Sequence, residues 1–322
     1  MLRKLKNKIK NRIVLNNSIE NQLDINRGKQ IQFYNFWDQP FDEIYWYRFL
    51  HARPDILNKT GGLKFGFFSV FGDRSVLKIV DTDVNIFYSA ENVKKRFNYI
   101  DHFLTEKKID LAMGFEYFEH EKYIRFPNWM DVFFLESNEI EKICQKLRYP
   151  FIDNKTRFAC CIASHDQISG AEGLRGSIVD ALNQIEEVSC PGKFRHNDDT
   201  LIRRFNNDKL GYLTQFYFTI CPENSNCMGY VTEKIFHAIA SGCIPIYWGS
   251  YNKPELDVLN QDAIIFWDKD GDNEVALKKI KELISTPKLM KAFLEQPRLL
   301  PGAEDYIRKS FQMIEKKFLN LV

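Results

Sequence analysis

The stretch GYVTEKIFHAIASGCIPIYWG, residues 229–249, constrains this chain more than any other. It reads as a helix running straight into a buried strand. Thr232 is placed as an N-cap, Glu233 and Lys234 fall in the first turn, Ile235, Ala238 and Ile239 keep helical spacing, and Gly242 can end the helix before CIPIYWG. A glycine loop, a helix N-terminus and a lysine together can hold a phosphate.

The same alternation extends in both directions. From residue 30 to about 150, the segments IQFYNFW, LKFGFFSVF, VNIFYSAEN, IDLAMGF and IRFPNW read as strands, with NVKKRFNYIDHFL as a helix between two of them. A polar stretch around RYPFIDNKTR separates this half from a second run: strand FACCIAS, helix GSIVDALNQI, loop SCPGKFRHNDD, helix TLIRRFNNDKLGYLTQ, strand FYFTICPEN, then the opening stretch, DAIIFW and a pair of late helices. Strands alternating with helices of 10–15 residues imply a parallel, doubly wound sheet, whose ligands bind outside the carboxyl ends of the strands. The expected organisation is a basic segment over 1–29, an α/β domain over 30–152, a Rossmann-like domain over 153–300 and a C-terminal helix over 301–322, with a cleft between the two α/β domains.

Composition narrows the partners. A length of 322 residues gives each of two domains a real core, and a formal net charge of +2, with no alternating basic and aromatic tract, excludes a nucleic-acid binder. The seven cysteines are scattered without CxxC spacing, which fits neither a disulfide framework nor a zinc cluster. No stretch reaches the ~20 apolar residues of a membrane span, so a cytoplasmic protein is expected. Residues 1–15, MLRKLKNKIKNRIVL, concentrate Arg3, Lys4, Lys6, Lys8, Lys10 and Arg12, with Leu2, Leu5, Ile9 and Ile13 at helical spacing. That pattern suits a peripheral amphipathic helix on the anionic cytoplasmic face of a membrane, and equally a solvated tail.

The chemistry gathers at strand ends of the second half. Arg175 stands beside a helix start, the loop from Lys193 to Asn197 follows a later one, Asn224 closes FYFTICPEN, and Tyr230, Glu233 and Lys234 open the next helix. A nucleoside diphosphate would match, with Lys234 and Arg175 on the phosphates and Glu233 on ribose hydroxyls. Glu233 and Lys234 alone could be a solvated first turn; the dense Pro, Asn and Gly of CPENSNCMGY favour a fixed loop. Neither a Walker loop nor a GxGxxG fingerprint occurs, and the six histidines show no ligand spacing.

FYFTICPENSNCMGYVTEKIFHAIASGCIPIYWGS closely resembles the donor-binding signature of the α1,3/α1,4-fucosyltransferases, and the resemblance reaches upstream through GLRGSIVDALNQI and FYSAENV to MGFEYFEHEKYIRFP. It implies a two-domain GT-B enzyme that transfers fucose from GDP-β-L-fucose, with inversion and without a metal or other cofactor, to a lactosamine-type or lactose-type acceptor, usually at O3 of N-acetylglucosamine. It assigns Arg175 and Lys234 to the diphosphate, Glu233 to ribose, Tyr230 and Asn224 to the donor pocket, and Glu91 in SAEN to the general base. Lys193 and Asn197 are further donor candidates. Glu91 follows a strand of the first domain, where an acceptor-side carboxylate belongs. The chain departs from the family at Ala90, where glycine is common, and in the loop NSNCMG.

Two rival readings attach to other residues. DTD, Asp81 to Asp83, has the setting of the metal-binding motif of GT-A transferases, but so short a motif also makes an ordinary turn. The cluster Tyr34, Phe36, Trp37, Tyr45, Trp46 and Tyr47 could belong to a non-catalytic glycan binder or to a core; of these, Trp37 and neighbouring Asp38 are candidate acceptor contacts.

Overall fold

The computed structural model of the chain describes residues 19–96 and 104–322. The basic segment 1–15 and residues 97–103 of the expected helix NVKKRFNYIDHFL lie outside the described residues; Val93–Arg96 of that helix is helical. The chain divides into two units, one built from Met1–Gly114, Phe118–Phe126 and Ser310–Val322, the other from Phe115–Tyr117 and Pro127–Lys309.

In the first unit, strands β1 (Ile31–Tyr34), β2 (Phe65–Phe68), β3 (Val84–Tyr88), β4 (Leu111–Gly114) and β5 (Tyr123–Arg125) form one sheet in chain order, every pair parallel. β1 ends where Asn35 turns to a φ of 59°, shorter than the apolar run IQFYNFW. The register sets Phe33 beside Phe67 and Tyr34 beside Phe68, with each ring pair stacked at 5.3 Å. The helices that carry the cores and the site are α1 (Tyr45–His51), α2 (Asn128–Phe133), α3 (Leu174–Leu182), α4 (Glu233–Ala240) and α5 (Ala303–Asn320). One face of the first sheet packs Phe67 and Tyr88 against the fully buried Trp46 of α1. Phe318, from the end of α5, stacks on Trp46, Phe65 and Phe67 of the same core. The opposite face buries Tyr34, Phe68 and Phe87 with Val76, Leu77 and Ile109. Tyr34, Tyr45 and Trp46 of the aromatic cluster are therefore core, while Phe36, Trp37 and Tyr47 are half-buried.

The second unit carries β6 (Arg157–Cys160), β7 (Val188–Ser189), β8 (Phe216–Ile220), β9 (Ile244–Tyr247) and β10 (Ile265–Phe266), all parallel, in the order β10-β9-β8-β6-β7. The chain starts at β6, adds β7 on one side, then returns to build β8, β9 and β10 on the other. The reversal in strand order that marks a doubly wound sheet thus lies between β6 and β8. There the loops leaving the carboxyl ends diverge and open a crevice.

Local chemistry explains the boundaries. Ile235, Phe236, Ala238 and Ile239 form the buried side of α4. Gly242, at φ 71°, closes the helix as a Schellman turn: its N–H reaches Ile239 O and the Cys243 N–H reaches Ala238 O, both at 2.9 Å. A Cβ at this glycine would stand 2.3 Å from Phe151 O. The expected single helix over TLIRRFNNDKLGYLTQ is instead two, Thr200–Arg203 and Lys209–Leu213, because Asn206 and Asn207 take left-handed φ values of 47° and 65° between them. DTD is a turn at the amino edge of β3, where Asp83 accepts the Lys64 N–H (2.7 Å) and Asp81 pairs with the Lys64 ammonium (2.6 Å). That turn is bound to lysine at the edge opposite the strand carboxyl ends, so the structure does not carry the GT-A reading.

Because Phe318 is fully buried among the aromatics of the first sheet, Phe318→Ala should destabilise that unit by about 3–5 kcal/mol. Urea denaturation followed by tryptophan fluorescence checks this, and a loss under 1 kcal/mol would show that the α5 contact carries little of the core.

Candidate active site

Four of the predicted residues meet at the reversal. α3 begins one residue before Arg175, after Gly173 at φ 81°. The carboxylate of Asp166 accepts the N–H groups of Arg175 and Gly176, each at 2.8 Å, and so fixes that first turn from nine and ten residues upstream. The Arg175 guanidinium is 6% exposed; it donates to His165 O (2.9 Å) and to Asn224 Oδ1 (3.0 Å). This last bond ties the loop after β6 to the loop after β8. Burial lowers the Arg175 pKa, while Cys161, Asp166, Glu223 and Tyr230 oppose that effect, and a guanidinium stays charged throughout.

The loop after β8 delivers the second half. Glu223 has no exposure, and its backbone N–H donates to Trp248 O (2.8 Å), prolonging the pairing with the β9 strand. Its Oε1 accepts the Thr232 N–H at 2.8 Å and its Oε2 the Thr232 hydroxyl at 2.7 Å. Thr232 does stand at the N-cap position, yet its side chain does not cap the helix, because the hydroxyl is turned to Glu223. The Lys234 ammonium donates to that hydroxyl oxygen (2.9 Å) and lies 3.2 Å from Glu223 Oε2. The Glu233 N–H is taken by Asn128 Oδ1 of α2 at 3.2 Å. Gly229, at φ 79°, lets the loop pass where a Cβ would come within 2.7 Å of Phe115 O.

A cavity of about 110 Å³ opens at this point, lined by Arg175, Glu233 and Lys234 together with Lys209, Thr219 and His237. Burial pushes the Glu233 carboxyl up, but Lys234, its own backbone N–H and His237 outweigh it and keep the pKa below the ordinary value. Burial lowers the His237 imidazole, helped by Lys209 and Lys234 and opposed by Glu233, so the ring is neutral at pH 7. Three cationic side chains, an ionised acceptor and a neutral imidazole share one small hollow. A wider cavity of about 560 Å³ lies beside Arg157 and Phe158, at the amino end of β6, against Met290 and Leu294; it is on the sheet edge away from these residues.

The remaining predicted residues lie elsewhere. Tyr230 is 2% exposed with its ring edge-on to Phe115 at 5.0 Å, so it builds the wall of the loop. Lys193 and Asn197 are exposed and do not line the cavity. The Asn197 amide closes its own loop, accepting the Cys190 N–H (2.7 Å) and donating to Val188 O (2.9 Å). In the first unit, half-buried Glu91 follows the carboxyl end of β3, with its N–H on Ser89 Oγ at 3.1 Å. Trp37 leans on Phe71 at 4.7 Å, and Asp38 beside it is exposed. Sequence reasoning missed Glu223, Asp166, Lys209 and His237. Glu223 carries no local signal, because its partners Thr232 and Lys234 lie nine and eleven residues further along the chain.

A polyanion bound beside the neutral His237 imidazole would favour its imidazolium form. Pyrophosphate should therefore bind with uptake of part of a proton on the acid side of neutrality, and more tightly as pH falls there. Calorimetry in buffers of different ionisation enthalpy measures the uptake; it should vanish in His237→Gln, and equal uptake in that variant would place the proton elsewhere.

Residues 31–132 match the model of the Alpha-(1,3)-fucosyltransferase FucT N-terminal domain, and residues 152–296 that of Glycosyltransferase family 10 (fucosyltransferase) C-term. The chain is 28% identical over 230 residues to Alpha-(1,3)-fucosyltransferase FucT of Helicobacter pylori, covering 62% of this chain and 44% of that protein. It is 31% identical over 96 residues to Alpha-(1,3)-fucosyltransferase B of Drosophila melanogaster, covering 30% and 21%. The chain thus spans less than half the length of these curated relatives. A crystal structure of an alpha1,3-fucosyltransferase superposes with a TM-score of 0.59 at 23% identity, covering 91% of this chain and 92% of that one. A structure of such an enzyme with GDP-fucose gives 0.57 at 22%, covering 88% and 89%. This likeness of fold extends over both parallel sheets, and both halves of the sequence match one set of enzymes: the chain belongs to glycosyltransferase family 10, the fucosyltransferases.

Proposed function

We propose that the chain is an inverting α1,3-fucosyltransferase that moves L-fucose from GDP-β-L-fucose to O3 of the N-acetylglucosamine, or of the glucose, in a lactosamine-type glycan, giving a Lewis-x-like product. The observation that carries this reading is the charged hollow at the strand-order reversal. Arg175 and Lys234 supply positive charge where a departing diphosphate gathers negative charge, and ionised Glu233 beside them can accept from ribose hydroxyls. Relatives named as α1,3-fucosyltransferases support the linkage.

In the proposed step the acceptor hydroxyl oxygen bonds to C1 of fucose as the bond from C1 to the phosphate oxygen breaks, and its electron pair leaves with GDP. Glu91 takes the hydroxyl proton. Such a base contributes about 10²- to 10⁴-fold in rate. With two cations facing the leaving group, the reaction requires no metal. Trp37 and Asp38 contact the acceptor, Asn224 and Tyr230 frame the donor loop, and the basic residues 1–15 dock the enzyme peripherally on the cytoplasmic face of a membrane.

Release of GDP from GDP-fucose in the presence of N-acetyllactosamine and chelator tests the reading. Acceptor-dependent release is expected. Release only after a divalent metal is restored would sink the metal-free mechanism, and GDP binding without release would point to another sugar or acceptor. Glu91→Gln should lose roughly 10²- to 10⁴-fold in kcat at unchanged GDP affinity, whereas near-normal turnover would remove Glu91 from the base role.

A further inference from the structure

Glu223 belongs to neither the proposed donor contacts nor the proposed base, and it does not line the cavity. Yet the loop is shaped around it. It has no exposure, both carboxylate oxygens are engaged by Thr232, and Lys234 completes a closed triangle with them. Gly249, at φ 144°, leaves the space: a Cβ there would lie 2.7 Å from Glu223 Cγ. A buried carboxylate of this kind costs stability unless it is fully paired, and a fold keeps such a group only at a cost.

We infer that Glu223 is a positioning residue: it fixes the Lys234 ammonium, directly and through the Thr232 hydroxyl, at the mouth of the donor cavity. A lysine carries its charge on a four-carbon stem with no preferred direction of its own. Here two acceptors fixed to the end of β8 and the start of α4 aim that charge, leaving the side chain 24% exposed toward the cavity. Burial works against the ammonium, but the Glu223 and Glu233 carboxylates outweigh it and hold the Lys234 pKa above the ordinary lysine value. Burial in turn pushes the Glu223 carboxyl up, against the pull of Lys234 and the two Thr232 donors. Glu223 therefore loses its charge on the acid side sooner than an exposed glutamate would.

The inference rests on the donor reading, and a double-mutant cycle separates the two. GDP affinity by calorimetry and kcat/KM with GDP-fucose are measured for the parent chain, Glu223→Gln, Lys234→Met and the double variant, with Thr232→Val as a second probe that keeps the carboxylate and removes the relay. Glu223→Gln should lose roughly 10- to 100-fold, by analogy with the loss when the hydrogen-bond partner that orients a metal-binding side chain is removed. In the Lys234→Met background the same change should cost less than about twofold. Thr232→Val should weaken GDP binding in the same direction and, by taking a donor from a buried carboxylate oxygen, lower the melting temperature. Equal losses from Glu223→Gln with and without Lys234 would overturn the inference, as would full activity in Thr232→Val and Glu223→Gln alike. If the parent chain fails to bind GDP, the donor reading falls, and the cycle repeated with pyrophosphate still decides whether Glu223 acts through Lys234.

Discussion

A parallel sheet that grows outward on both sides of its first strand cannot cover the carboxyl edge evenly. In the second unit, β6 has β7 on one side and β8 on the other, so the loop that leaves β6 and the loop that leaves β8 start as neighbours and must part. Everything that distinguishes the site follows from that divergence. The first loop supplies Arg175, held by the Asp166 carboxylate at the head of α3; the second supplies Glu223 and Asn224 and then turns into α4. Two hydrogen bonds span the gap that the topology opens, both at Asn224: the Arg175 guanidinium donates to its Oδ1 at 3.0 Å and the Ser169 N–H to its backbone O at 2.9 Å.

The electrostatics of the hollow are mixed in sign. A cavity holding cations alone would attract any anion and would be costly to keep charged when empty. Here Arg175 and Lys234 share the neighbourhood of Glu223 and Glu233, so the positive groups keep their charge despite burial while the net field remains modest. Specificity can then arise from placement, since planar and point-like donors at fixed distances distinguish a bent diphosphate from a simple ion.

What could be read from the sequence was whatever depends on near neighbours. The buried side of α4 is legible because Ile235, Ala238 and Ile239 recur at the helical period, and its end because a left-handed residue after a helix is usually glycine, as Gly242 is. Arg175 and Lys234 were likewise legible as cations at helix starts. Asp166 and Glu223 were not: each acts on partners nine or more residues away in the chain, and no local spacing encodes such a pairing. β7 has two residues, too few to show any period. The break at Asn206 and Asn207 was hidden because asparagine is tolerated in helices and in left-handed turns alike. The C-terminal helix was legible as a helix, but nothing local says that Phe318 would be buried among the residues of β2.

That last feature bears on how the chain is made. Ribosomal synthesis delivers the first sheet early, but Phe311 and Phe318, which close its Trp46 face, emerge only after the whole second sheet. For on the order of ten seconds or longer, at ~5–20 residues per second, a surface rich in tryptophan and phenylalanine waits uncovered. The core of the first unit is thus closed by residues made after the second sheet. Loss of the last turns of α5 would therefore leave the second sheet complete and uncover the Trp46 face of the first.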